Sequence, residues 1–157
     1  MHIYFLLLVT YLVSEAGQVF CVLCVETVIV DGTTMPYSYS QLVNNDQYLM
    51  AKVAINGFGR IGRTFFRMAL NNPDFEIVAI NDLGNLENLA YLLKYDTVYG
   101  QSQFSISVGN NTLIVDGKEI AFLSERDPKL LPWMKMGVDI VVESTGFFTS
   151  YEASKMH

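Results

Sequence analysis

Lysine and arginine are missing from the first 49 residues, and all ten basic residues of the 157 lie from Lys52 onward. A secretory leader normally starts with basic residues, and only His2 stands there. Long apolar runs are missing too. The run Ile3–Val13 is eleven residues, well short of the roughly 20 that a membrane-crossing helix needs. Extending it to Val30 would bury Glu15, Gln18 and Glu26, so no membrane span is expected. Cysteine occurs only as Cys21 and Cys24, and histidine only as His2 and His157. No second pair of ligands completes a zinc site, so no metal is expected. The C-x-x-C pair lies in the strand-like run 19–30, where buried, inert thiols are the plainer reading. A formal charge of −6 argues against nucleic acid or an anionic membrane as partner. Internal repeats and low-complexity tracts are absent, and the length suggests one domain.

What the chain does carry is concentrated between Val53 and Asp82. Residues 52–56 form a short apolar run bounded by glycine, as expected of a buried parallel strand. Gly57, Gly59 and Gly62 follow in a G-x-G-x-x-G array, and a helix is expected over residues 60–70. Gly57 allows the turn, Gly59 lets a pyrophosphate approach the backbone, and Gly62 lets the helix pack closely. The helix start presents unpaired N–H groups and a positive dipole end to phosphate. A second apolar strand, residues 75–81, ends in Asp82, whose carboxylate can take the ribose hydroxyls of an adenosine. That carboxylate would repel a 2′-phosphate, which favours NAD over NADP.

Further along, Ile61, Phe65, Met68 and Ala69 are expected on the inner side of the first helix. Asn71-Asn72-Pro73 stops it. A second helix over residues 86–93 has Asn85 as its N-cap. Residues 103–108, 112–115 and 119–123 read as antiparallel strands, with Asp116-Gly117 a hairpin turn. Residues 138–142 are again a buried parallel strand, and 151–157 begin another helix. The fold expected is α/β: an incomplete Rossmann-type doubly wound parallel sheet with a small antiparallel insertion. The strand 138–142 belongs beside 52–56, opposite 75–81. The turn Gly57–Gly59, Asp82 and residues 144–148 then share the crevice at the carboxyl ends of the strands.

The stretch A-K-V-A-I-N-G-F-G-R-I-G-R closely resembles the amino-terminal part of glyceraldehyde-3-phosphate dehydrogenases. The likeness continues in A-I-N-D-L, L-K-Y-D-T-V-Y-G, S-E-R-D-P and V-V-E-S-T-G-F-F-T, in the family's order. It implies that the backbone of the Gly57-Phe58-Gly59 turn, Arg60 and Ile61 serves the pyrophosphate and that Asp82 takes the adenosine ribose. Arg126 lies near the adenine, through its main chain. Thr145 and Gly146 border the adenosine, and Phe148 forms an apolar wall of the adenine slot. Leu83 after Asp82 agrees with NAD. The residue types alone also allow Arg126 as a surface charge, Thr145 as a strand-end cap and Phe148 as core.

The resemblance ends inside the cofactor domain, and nothing like the family's S-C-T-T-N cysteine motif occurs. The chain as given is expected to bind NAD and to lack the catalytic residues. Glyceraldehyde 3-phosphate and phosphate would be partners only of the complete enzyme, a cytoplasmic glycolytic oxidoreductase and usually a homotetramer. Two alternatives are a stand-alone, non-catalytic nucleotide-binding module and a non-functional truncated product.

The family likeness begins at Met50-Ala51, so residues 1–49 look foreign to the domain that runs over 50–157. Three readings compete. Met50 is the true start and the upstream bases are translated in frame by mistake, the preferred reading. Alternatively Ile3–Val13 with Ser14-Glu15-Ala16 is an export leader or anchor, or the segment is a real extra element. Residues 31–48 are a polar stretch that reads as linker or disorder.

Overall fold

The computed structural model describes residues 3–13, 19–30, 33–35, 50–154 and 157. Strands β1 (Ile3–Val13), β2 (Val19–Val30) and β3 (Thr33–Met35) form an antiparallel sheet of their own, with Ile3 opposite Val30 and Val28 opposite Met35. The strand-like run that holds Cys21 and Cys24 is thus a strand. β3 falls inside the stretch expected to be linker. The rest of that linker, and Ser14-Glu15-Ala16, lie outside the described residues.

The main sheet uses β4 (Ala51–Asn56), β5 (Phe75–Asn81), β8 (Ile106–Val108), β9 (Thr112–Val115), β10 (Lys118–Leu123) and β11 (Ile140–Glu143). Between them run α1 (Arg60–Ala69), α2 (Leu86–Lys94) and a two-strand ribbon, β6 (Tyr95–Asp96) with β7 (Gly100–Gln101). A short α3 (Tyr151–Ser154) follows β11, where the sequence suggested a helix over 151–157. Among the described residues, no helix is long and apolar enough to cross a membrane.

The strand order is β11-β4-β5-β10-β9-β8. β4 pairs in parallel with β5 on one side and β11 on the other, so the order reverses at β4, as the sequence suggested. Val53, Ala54 and Ile55 are wholly buried, which explains the unbroken apolar run of a central parallel strand. The antiparallel unit is less separate than expected. β10 closes a hairpin on β9 and also pairs in parallel with β5, setting Ala121 opposite Ala79. One strand thus joins the insertion to the parallel sheet. The β9–β10 turn has Asp116 at φ 50° and Gly117 at φ 80°, the conformation that a two-residue hairpin favours.

The inner face of α1 differs from the sequence expectation. Gly62, Arg63, Phe66 and Ala69 are buried, while Met68 is 45% exposed and Ile61 and Phe65 are only partly covered. Closest approach sets the phase. A Cβ on Gly62 would meet the Gly57 carbonyl oxygen at 2.1 Å, so the helix touches the strand end at Gly62. One and two turns on, Phe66 and Ala69 follow on that face. Phe66 meets Phe58 edge-on, with centroids 5.4 Å apart. Across the sheet, Leu131 and Trp133 pack on Ala54, Ala79 and Val141, where small strand residues leave room for the indole.

Candidate dinucleotide site

Three strand ends meet through polar side chains. Asn81 Nδ2, at the end of β5, donates to Asn56 Oδ1 of β4 at 2.7 Å. Asn56 Nδ2 donates to Glu143 Oε2 of β11 at 2.5 Å. All three are nearly fully buried, and the bonds lock the carboxyl edge of the sheet. Asn81 also grips the loop after β10: its Nδ2 donates to the Glu125 carbonyl, and its Oδ1 accepts from Glu125 N–H, each at 2.8 Å. This places the main chain next to Arg126 at the end of β5, while the Arg126 side chain is exposed.

The glycine turn stands on this edge. Gly57 adopts φ +94°, and a Cβ there would lie 2.6 Å from Thr145 N, so both backbone shape and space require glycine. Ser144 Oγ donates to the Gly57 carbonyl at 2.6 Å, tying the turn to the β11 loop. Phe58 N–H donates to Asp82 Oδ2 at 2.6 Å, and Gly84 N–H donates to Asp82 Oδ1 at 2.7 Å. The Phe58 ring is buried in the core, so only the backbone of this residue faces the site. Arg63 Nη1 donates to the Phe58 carbonyl at 2.8 Å from beneath. Burial pushes the Arg63 pKa down, with Asp96 and Asp82 acting against it. Its Nε has no hydrogen-bond partner among the described residues.

Above the turn, α1 opens toward solvent. Gly59 is its N-cap with no side-chain hydrogen bond, and the first intrahelical bond runs from Arg63 N to Gly59 O at 3.1 Å. The N–H groups of Arg60, Ile61 and Gly62 therefore have no partner within the helix. Nothing lies within 4 Å of where a Gly59 Cβ would be. A pyrophosphate fits this arrangement: free N–H donors, a positive helix end and an unobstructed approach. Each Asp82 oxygen accepts one backbone N–H, which leaves further lone pairs for the hydroxyls of a ribose.

On the β11 side, Thr145 turns inward. Its N–H donates to Glu143 Oε1 at 2.8 Å, and its hydroxyl donates to the same oxygen. Gly146 is exposed at φ 79°, and Phe148 is half-buried. Burial alone would raise the Glu143 carboxyl, but hydrogen bonds from His157, Thr145 and Asn56 outweigh it and hold it below the usual glutamate range. A cavity of about 560 Å³ opens nearby, lined by Leu86, Glu87, Asn110, Asn111, Phe122 and Ser124. None of the residues expected to bind the cofactor lines it.

Sequence reasoning placed Ser144 in the crevice without giving it a role, and missed Asn56, Asn81, Arg63 and Glu143. Two signals were present: I-N closes both β4 and β5, and V-V-E closes β11 with an acid, as Asp82 follows β5. Arg63 lies in the G-F-G-R-I-G-R block, but nothing in its spacing marked the role its side chain takes.

A parallel sheet with reversed strand order, a glycine turn feeding a bare helix start, and an acid after the neighbouring strand define a dinucleotide-binding domain of the doubly wound class. Residues 51–151 match the family model for glyceraldehyde 3-phosphate dehydrogenase, NAD binding domain. The chain is 57% identical over 109 residues to the glyceraldehyde-3-phosphate dehydrogenase of Geobacillus stearothermophilus, covering 69% of this chain and 32% of that one. With glyceraldehyde-3-phosphate dehydrogenase 1 of Bacillus subtilis it shares 55% over 109 residues, 69% of this chain and 32% of the relative. With the Thermotoga maritima enzyme of the same name it shares 53% over 110 residues, 69% and 33%. The chain belongs to the glyceraldehyde 3-phosphate dehydrogenase family and carries its NAD binding domain. It spans about a third of the length of these relatives.

Proposed function

We propose that this chain is the cofactor platform of a phosphorylating glyceraldehyde-3-phosphate dehydrogenase, with residues 50–157 as the functional unit and 1–49 outside it. The observation that carries the reading is Asp82, fixed by Phe58 N–H and Gly84 N–H beside the open start of α1. Gly57, Phe58, Gly59, Arg60 and Ile61 hold the pyrophosphate through main-chain groups, and Asp82 holds the adenosine ribose. The Arg126 main chain, Thr145, Gly146 and Phe148 border the adenine. NAD supplies a hydride acceptor; this chain's residues bind and orient it. Glyceraldehyde 3-phosphate and inorganic phosphate are then substrates of the complete enzyme, a cytoplasmic homotetramer. The nucleophile would come from sequence beyond this chain.

Mass mapping of the protein from its source cells tests this. Peptides that begin at Ala51 and continue past His157 into a cysteine-bearing segment support it. A protein that carries residues 1–49 and stops at His157 would favour the stand-alone module.

A further inference from the structure

Behind the strand ends, Trp133, His157 and Glu143 form a chain of hydrogen bonds that dinucleotide binding itself does not require. Trp133 Nε1 donates to His157 Nδ1 at 3.2 Å. An indole N–H only donates, so Nδ1 accepts and the proton of the neutral imidazole sits on Nε2. Nε2 then donates to Glu143 Oε2 at 3.0 Å. The 3.4 Å approach of Asn56 Nδ2 to the same nitrogen sets donor against donor and makes no bond. The His157 and Glu143 side chains are only 3% and 5% exposed.

With both nitrogens engaged, the imidazole plane is fixed. The ring also meets Phe148 nearly at right angles, 81°, with centroids 5.9 Å apart. Such edge-to-face pairs hold one ring against the other beyond simple area burial. The same segment grips the Phe148 main chain, since Ser154 Oγ donates to the Phe148 carbonyl at 2.8 Å. Glu143 meanwhile holds Thr145. One buried carboxylate thus governs Thr145 directly and Phe148 through His157.

We propose that His157 is a positioning residue for the adenine side of the site: locked between Trp133 and Glu143, its ring sets the orientation of the Phe148 ring. The proposal rests on Phe148 as a wall of the adenine slot, as inferred above. It adds a specificity element that acts on adenine through a ring rather than through a contact of its own.

The test uses the full chain and 5′-AMP, with affinity read by calorimetry and folding by thermal unfolding. His157→Gln retains an acceptor for Trp133 and a donor for Glu143 but removes the ring. It is expected to unfold near the wild-type temperature yet bind AMP roughly three- to tenfold more weakly. Phe148→Ala alone weakens AMP at least as much, and adding His157→Gln to it costs nothing further. Wild-type chain that ignores AMP, or Phe148→Ala with unchanged affinity, would overturn the adenine-slot reading and this proposal with it. A loss in Phe148→Ala with none in His157→Gln, or two losses that multiply, would overturn the positioning role alone. If His157→Gln fails to fold, Trp133→Phe decides: it leaves Nδ1 without its donor, and unchanged AMP affinity there overturns the proposal.

Discussion

Phe58 and Asp82, 24 positions apart, are joined by a 2.6 Å hydrogen bond from the Phe58 N–H to Asp82 Oδ2. The acid that the sequence marks as a ribose ligand is therefore also the staple of the glycine turn. Its other oxygen holds Gly84 N–H, so the two turns that flank the site depend on one carboxylate.

Asp82→Ala is accordingly expected to lower both affinity and stability. Two backbone N–H groups lose a charged acceptor, a change of about 1.5–3 kcal/mol in unfolding free energy. NAD affinity falls and discrimination against NADP relaxes. Chemical denaturation and calorimetry check the two effects separately; an unchanged NAD/NADP affinity ratio would remove Asp82 from cofactor choice.

Gly57 and Gly59 separate folding from binding. Gly57→Ala puts a Cβ against the Thr145 backbone at φ +94° and is expected to cost about 3 kcal/mol of stability. Gly59→Ala meets nothing within 4 Å and leaves stability within about 1 kcal/mol. Its methyl stands where the pyrophosphate approaches, so NAD affinity falls about tenfold or more. Denaturation and calorimetry on the two variants should give opposite patterns, and similar patterns would show that α1 does not present a phosphate site.

Much of this was legible in the sequence, because the glycine spacing, the apolar strands and the acid after β5 are local signals. Asn85 proved to cap α2, its Oδ1 accepting from Asn88 N at 2.9 Å. The phase of α1 was misread because Phe65 and Phe66 are adjacent and equally apolar. Helical spacing alone cannot choose between them; Gly62, which marks the closest approach, does. The dual pairing of β10 was hidden because the Asp116-Gly117 turn announces only its antiparallel side. The Asn56–Asn81–Glu143 lock joins three distant segments, and no window of sequence contains it.

The corrected phase of α1 predicts a contrast. Phe66 is fully buried and Met68 is 45% exposed. Phe66→Ala is expected to cost about 3–5 kcal/mol, and Met68→Ala about 0.5 kcal/mol or less. Urea unfolding of both variants measures it; equal costs would place Met68 in the core after all.

Glu143 predicts a pH dependence. Its carboxyl is held below the ordinary value of 4.5, so the native state favours the ionised form more than the unfolded chain does. That stability is present above the unfolded-state value and is lost as pH falls through the native one. Unfolding of wild type and Glu143→Gln from about pH 6 down to about pH 3 should show the wild-type advantage shrinking with acid. An advantage that stays constant would mean that folding does not shift the Glu143 carboxyl, and one that grows with acid would mean that it is neutral in the fold.

The open start of α1 and Asp82 together are expected to make an NAD site. Calorimetric titration of the full chain with NAD and then with NADP tests it most directly. NAD is expected to bind saturably, and NADP at least roughly tenfold more weakly. Equal affinity for the two, or no heat with NAD, would contradict it.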